Sequence, residues 1–140
     1  MPAKLLSRLV KKETKAGQPP SLCPAFHGAV ELIGRKWTGA IIFLLLKSRL
    51  RFAALRDAIP DITDRMLSER LQELEQNAIV ERTVLPDPPV RVEYSLTDKG
   101  RALAAAVDAI SEWAHDWGGP ASANDAAHHA VSRRTPRSAR

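Results

Sequence analysis

The sequence is poor in the features that mark secreted and membrane proteins. It contains a single cysteine, Cys23, so no internal disulfide framework can form. Its longest apolar run, from Trp37 to Leu46, is about half of the ~20 residues needed to cross a bilayer. No apolar N-terminal segment precedes a small-residue cleavage site. We therefore expect a cytoplasmic protein without a membrane partner, and 44% hydrophobic residues in a chain of 140 suffice for one compact core.

Side chains that carry chemistry are also scarce. Cys23 and His27 are four residues apart, but nothing in the sequence supplies a third catalytic group or an oxyanion site. His128 and His129 lie far along the chain, and no other ligands have metal-binding spacing. We expect no catalytic residue, no metal and no cofactor, and thus no enzyme.

Positive charge is concentrated at the two ends of the chain. Residues 1–20 carry five basic side chains and one acidic, and residues 118–140 carry four basic and one acidic. Because the whole chain has a net charge of +5, residues 21–117 are left with −2. The high pI is therefore weak evidence for nucleic-acid binding, and the local distribution of charge must decide.

The chain divides into an arm, a domain and a tail. Residues 1–20 form a basic N-terminal arm, either frayed in solvent or a short docking helix with Leu5, Leu6 and Leu9 on one face; a membrane-surface helix is the weakest alternative. Residues 118–140 are rich in Gly, Ala, Ser, Pro and Arg, which predicts a disordered basic tail. The folded domain is expected over residues 21–117.

Helical patterns fill the first half of that domain. Helices are predicted over 24–33, from 36 to about 47, over 51–59, and from a cap at Thr63 to Asn77. The period then changes from 3.6 to 2 in "IVERTVLP" and "VRVEYSL", which predicts a hairpin with the turn "DPP". Thr97 is expected to cap one long last helix. This order predicts a mainly α-helical winged helix-turn-helix domain with a small β-hairpin as its wing.

The helix after Thr63 has one face suited to DNA. Leu67, Leu71 and Leu74 form an apolar stripe, and the opposite face carries polar side chains able to bond base edges in a major groove. The residues expected to read bases are Thr63, Arg65, Ser68, Glu69 and Gln72. A solvated helix stabilised by an Arg65–Glu69 pair is the alternative interpretation.

A carboxylate in the groove repels phosphate, so affinity must come from cations elsewhere. Basic residues cluster upstream of the helix and flank the hairpin. The residues expected to contact phosphates or to act in the wing are Lys47, Arg49, Arg51, Arg56, Arg70, Arg82 and Arg91.

Four segments resemble the HxlR-type family of bacterial winged-helix transcription regulators. They are "CPAFHGAVELIGRKWT", "RFAALRDAIPDITDRMLSERLQELE", "IVERTVLPDPPVRVEYSLTDKGRAL" and "ISEWAHDW", and the likeness covers about residues 22–117. The resemblance implies a homodimer that binds double-stranded DNA at an inverted-repeat operator and represses or activates a nearby gene. The chain departs from the family pattern at Asp61 and at Ala78, where glycine is common. We expect Asn77 to adopt the left-handed conformation in place of Ala78.

The last helix has more apolar surface than one small domain needs, which independently predicts a dimer through terminal helices. The expected interface residues are Leu103, Val107, Ile110, Trp113 and Trp117. Packing of this helix against its own core is the alternative.

Cys23 has two interpretations. It precedes Pro24 at a helix start, where backbone N–H groups favour a thiolate, and similar family members sense oxidants or electrophiles through a cysteine near this place. A small buried hydrophobe is the alternative. The sequence is thus consistent with a regulator that responds to an oxidant or small-molecule effector. The rival function from another class is a winged-helix module that contacts only proteins.

Overall fold

The computed structural model describes residues 17–118, and these fall into two units that divide between Arg35 and Lys36. The N-terminal arm and the C-terminal tail lie outside the described residues, apart from residues 17–20 and Gly118, and remain predictions. No helix within residues 17–118 has the length and apolar character needed to span a membrane.

The first unit contains helix α1, Pro24–Ile33. Its bounds match the prediction, because Pro24 at the first turn fixes a helical φ and Cys23 takes the extended N-cap conformation. Gly34 ends the helix, and its N–H donates to the Val30 carbonyl at 2.7 Å. Phe26 and Val30 lie one turn apart and are exposed.

The second unit has the winged-helix order of elements. Its helices are α2 (Thr38–Lys47), α3 (Phe52–Ala58), α4 (Asp64–Gln76), α5 (Asp98–Arg101) and α6 (Ala104–Trp117). Its strands are β1 (Leu50–Arg51), β2 (Val80–Leu85) and β3 (Arg91–Leu96). Helix α2 begins two residues later than predicted because Trp37, at its N-cap, has a φ of 77°.

The predicted hairpin is confirmed, and β1 extends it to a three-stranded antiparallel sheet in the order β1-β3-β2. The hairpin register pairs Val80 with Leu96 and Leu85 with Arg91, leaving residues 86–90 as the wing loop. Strand β1 pairs Leu50 with Tyr94. Sequence periodicity did not predict β1, since two residues are too few to show a period.

The core lies where α2, α3 and α4 meet the base of the sheet. Helix α2 buries one side, which carries Ile41, Ile42 and Leu45, whereas Phe43 on another side is 40% exposed. The buried apolar residues are Ile41, Ile42, Leu45, Leu55, Ile59, Ile62, Leu67, Leu71, Leu74, Ile79, Val80 and Leu96.

The prediction of one long last helix is wrong. Thr97 caps α5, where its hydroxyl accepts from the Gly100 N–H at 3.1 Å, but α5 ends after one turn. The Leu103 N–H donates to the Gly100 carbonyl at 3.1 Å, a tighter turn than the α-helical one. Helix α6 then starts at Ala104. The apolar pattern on both sides of the break is helical, so it concealed the interruption.

The prediction for the end of α4 is also wrong. Asn77 has a φ of −89°, and Ala78 itself is left-handed at 55°. The Ile79 N–H donates to the Leu74 carbonyl and the Ala78 N–H to the Glu75 carbonyl, both at 2.9 Å. This pair of bonds is a Schellman motif, which requires the left-handed residue one position after Asn77.

Candidate nucleic-acid interface

Helix α4 is fixed in place by its cap and its apolar stripe. The Thr63 hydroxyl accepts from the Met66 N–H at 3.2 Å, as predicted for an N-cap. Leu67, Leu71 and Leu74 are each at most 1% exposed. With this side buried, the opposite face must be turned to solvent.

That opposite face carries the predicted base-reading side chains. Arg65 is 87% exposed and Glu69 is 46% exposed, and Arg65 Nε lies 3.1 Å from Glu69 Oε1. Gln72 is exposed on the same face, Ser68 is half-buried at its side, and Thr63 is exposed at the start of the helix. The structure therefore brings the predicted set together, and it also forms the ion pair that the alternative interpretation required.

Arg56 connects α3 to the start of α4. Its Nη1 lies 3.4 Å from Asp64 Oδ1 and its Nε lies 3.4 Å from Asp57 Oδ1. The hydrogen bond to Asp64, with a further one to Asp57, raises the pKa of the Arg56 guanidinium above its ordinary value. Its charge is thus constant but already shared with two carboxylates, which compete with any phosphate.

Arg70 is held inside the domain surface. Its Nη1 donates to Glu73 Oε2 at 2.7 Å, and only 15% of its side chain is exposed. A phosphate could be contacted only after this pair separates, which would leave Glu73 in a largely desolvated position. We therefore leave Arg70 out of the proposed DNA contacts.

The sheet separates the remaining predicted arginines by face. Arg51 is paired in register with Glu93, and Arg82 is paired with Tyr94. Since neighbouring residues of a strand point to opposite faces, Arg51 and Arg82 lie on opposite sides of the sheet. Arg91 is two positions from Glu93 and shares the face of Arg51, which gives this face two arginines with a carboxylate between them.

Lys47 and Arg49 lie at the exposed turn between α2 and β1. The Lys47 ammonium is 4.6 Å from the centre of the Phe43 ring. The predicted phosphate-binding residues thus do not form one patch, and they divide among this turn, the α3–α4 junction and the two faces of the sheet.

Contacts that the sequence did not predict hold the far end of α4. Lys99 Nζ donates to the Asn77 carbonyl at 2.7 Å, and the Thr97 hydroxyl donates to the Ala78 carbonyl at 2.6 Å. A Cβ on Gly100 would lie 2.2 Å from the Ile79 carbonyl oxygen. A glycine inside a predicted helix was the available signal, because glycine there is unfavourable unless another backbone approaches closely.

Two further predicted features have defined positions. On α6, Ile110, Trp113 and Trp117 are 59%, 52% and 76% exposed, whereas Leu103 and Val107 are half-buried.

Cys23 is exposed at the N-cap of α1, which does not fit the alternative of a buried small hydrophobe. Within residues 17–118, no three His, Cys, Asp or Glu side chains gather to hold a metal ion.

Comparison with known proteins gives this arrangement a context. The model of a family described as HxlR-like helix-turn-helix matches residues 32–122. Two HTH-type transcriptional regulators of Bacillus subtilis (strain 168), YvaP and YodB, are each 48% identical to the chain. The YvaP match covers 69% of this chain and 89% of that protein, and the YodB match covers 67% and 84%.

Solved structures show the same fold. The reduced form of YodB matches with a TM-score of 0.65 and 45% identity over 73% of this chain and 100% of that one. The redox regulator HypR in its reduced form matches with a TM-score of 0.63 and 38% identity over 66% and 91%. YodB is also known in diamide-treated and quinone-bound forms, and HypR in an oxidized form.

Proposed function

Because the chain belongs to the HxlR family of helix-turn-helix transcription regulators, we propose that it acts as a cytoplasmic homodimer on an inverted-repeat operator. The observation that carries this proposal is the exposed polar face of α4, opposite a fully buried leucine stripe. A helix held in this way offers its polar face to a major groove without disturbing the core.

The side chains on that face have complementary chemistry for base edges. Arg65 presents a guanidinium fork for the two acceptors of guanine, and Gln72 matches the acceptor and donor of adenine. Glu69 accepts from a cytosine amino group, and its contact with Arg65 orients the fork. Thr63 and Ser68 supply hydroxyls at the edge of the face.

Phosphate contacts are assigned to the cations that are exposed and outside tight ion pairs. Arg51 and Arg91 share one sheet face, Arg82 lies on the other, and Lys47 and Arg49 lie at the turn before β1. Arg56 contributes less because Asp57 and Asp64 share its charge. Each cation that neutralises a phosphate releases counterions and steepens the salt dependence of binding.

The exposed apolar face of α6 supports dimerisation. Ile110, Trp113 and Trp117 present a surface that is costly to leave in water, and a symmetry-related copy offers the same surface. A two-fold dimer would place two α4 helices about 34 Å apart, which is the spacing of successive major grooves.

The first test is binding of the purified chain to its own upstream intergenic DNA and to random DNA at two salt concentrations. We expect tighter, salt-sensitive binding to the upstream DNA. Arg65→Ala should remove preference at one base position, about 1–3 kcal/mol, whereas Arg91→Ala should weaken all sequences alike and reduce the salt slope by about 1. Equal losses on both DNAs for both variants would contradict these roles.

The rival function is a winged-helix module that contacts only proteins. If the native chain shows no sequence preference at either salt concentration, that result would favour the protein-contact module. The double variant Arg51→Ala, Arg65→Ala then separates the two functions, since a protein-contact module should keep its partner binding and show no DNA defect.

An oxidant response through Cys23 is a second candidate function. The exposed position of Cys23 at the N-cap of α1 favours a reactive thiolate, and YodB and HypR, to which this chain is similar, are known in oxidant-treated or oxidized forms. We expect diamide to change operator binding in the native chain and to leave Cys23→Ser unaffected. An equal response of both proteins would exclude Cys23 as the sensor.

A further inference from the structure

A cavity of about 220 Å³ lies between the end of α2 and the junction of β3 with α5. It is separate from the polar face of α4, and none of the proposed base-reading residues lines it. Its lining residues are Leu45, Leu46, Lys47, Ser48, Arg49, Ser95, Leu96 and Arg101.

The polar side of this cavity is strongly cationic. Lys47, Arg49 and Arg101 all line it. Of these three cations, Arg101 alone has an ion-pair partner among residues 17–118, namely Asp98 at 3.4 Å. Glu81 is also near, since its Oε1 accepts from the Ser95 hydroxyl at 3.3 Å, and Glu93 lies two positions from Ser95 on the same face of β3. Positive charge therefore remains in excess, and a bound anion would reduce the mutual repulsion of the three cations.

The other side of the cavity is apolar and preformed. Leu45 is 5% exposed and Leu96 is 1% exposed, so both are fixed by the core. Ser95, at 7%, is equally buried, and its hydroxyl donates to Glu81. Backbone phosphates of DNA have no apolar part for such a wall, and a volume below the ~300 Å³ of drug-sized sites suits a small molecule.

We propose that this cavity binds a small organic acid. Its carboxylate or phosphate group would lie among Lys47, Arg49 and Arg101, and its apolar part would lie against Leu46, which is half-buried, with the core residues Leu45 and Leu96 behind it. One consequence rests on the proposed DNA binding. The bound acid would occupy Lys47 and Arg49, and it would therefore lower the affinity of the protein for all DNA sequences alike.

The test is a titration of the ¹⁵N-labelled full chain, without DNA, at constant ionic strength maintained with chloride. The probes are benzoate, acetate and inorganic phosphate. We expect benzoate to give saturable amide shifts at Ser48, Ser95 and Leu96 and to bind more tightly than acetate, which lacks the apolar part. Arg101→Gln should weaken benzoate binding roughly three- to tenfold. Lys36→Gln, an exposed cation outside the lining and outside the proposed DNA contacts, should leave it unchanged.

Three results would overturn the proposal: shifts that never saturate, equal binding of benzoate and acetate, or equal effects of Arg101→Gln and Lys36→Gln. A separate titration with duplex DNA supplies a fourth: a response of these amides to DNA but to none of the small anions, which would assign the cavity to the DNA surface. Lys47→Met serves as a second variant if Arg101→Gln does not fold. The small-anion titration contains no DNA, so a negative result in it leaves the proposed operator binding intact.

Discussion

Arg65 and Glu69 are each other's nearest charged partners on the exposed face of α4, at 3.1 Å. In the proposed complex with DNA, Glu69 would have two opposite effects: it would orient the arginine, and it would repel the phosphates on either side of the groove. Such a pair would lower affinity for DNA in general and allow a cytosine amino group to compensate at the correct site.

Glu69→Gln should consequently bind random DNA more tightly and discriminate less. The salt slope should steepen by about 1, because Arg65 becomes available to a phosphate. Fluorescence anisotropy with operator and random duplexes at several salt concentrations measures both effects. Glu112→Gln on α6 makes the same change in net charge, and an equal gain in that variant would show that only the total charge matters.

Ala78 adopts a left-handed conformation at a φ of 55° that costs an L-residue about 1–2 kcal/mol. Ala78→Gly should raise the free energy of unfolding by up to ~1 kcal/mol, since glycine loses part of this gain through its freer unfolded chain. Urea unfolding measures the change. Ala102→Gly, at a φ of −62°, should destabilise instead, and stabilisation of both variants would contradict the explanation.

Substitution of Gly100 tests the packing at the end of α4, and substitution of Gly39 in α2 is its control. Gly100→Ala should lower the free energy of unfolding by at least ~2 kcal/mol, because its Cβ would lie 2.2 Å from the Ile79 carbonyl oxygen. Gly39→Ala meets nothing within 4 Å and should be neutral or stabilising by up to ~1 kcal/mol. Thermal unfolding of both variants checks the contrast, and similar melting temperatures would refute it.

Among the elements, those defined by local signals were predictable. Helix α1 has Pro24 at its start and Gly34 at its end, and α4 has the Thr63 cap and a leucine every three or four residues, so their patterns gave their bounds. The hairpin was predicted from the alternation of apolar and polar residues on both sides of a proline-rich turn. The exposed face of α4 followed directly from the same helical period.

Elements that depend on distant contacts were not predictable. Strand β1 exists because Leu50 pairs with Tyr94, a partner far along the chain. The break after α5 reflects the approach of Gly100 to Ile79. The pairing of Arg70 with Glu73 is local, three residues apart on α4, but the burial that withdraws Arg70 from the surface depends on the packing of that helix. Periodicity gives the face on which a residue lies, but it does not say which oppositely charged neighbour will hold it.

For the whole molecule, the exposed side of α6 leads to a prediction about assembly. Trp113→Glu places a charge in the proposed apolar interface and should convert dimer to monomer. Operator affinity should then fall toward that of a single half-site. Sedimentation velocity measures the first effect and anisotropy the second. Asp108→Asn, an exposed change on the opposite side of the same helix, should alter neither, and a native-like dimer of Trp113→Glu would place the interface elsewhere.

The hydrogen bonds around Thr97 have a mechanical consequence. The short segment from Thr97 to Gly100 follows the base of the wing and precedes α6. Its Thr97 and Lys99 side chains also donate to the Ala78 and Asn77 carbonyls, directly after α4. These bonds tie the base of the wing to the end of α4, so the two should move together as one rigid body. In the proposed dimer, a change in the angle between the two copies would therefore alter the distance between the two α4 helices and leave each winged domain intact.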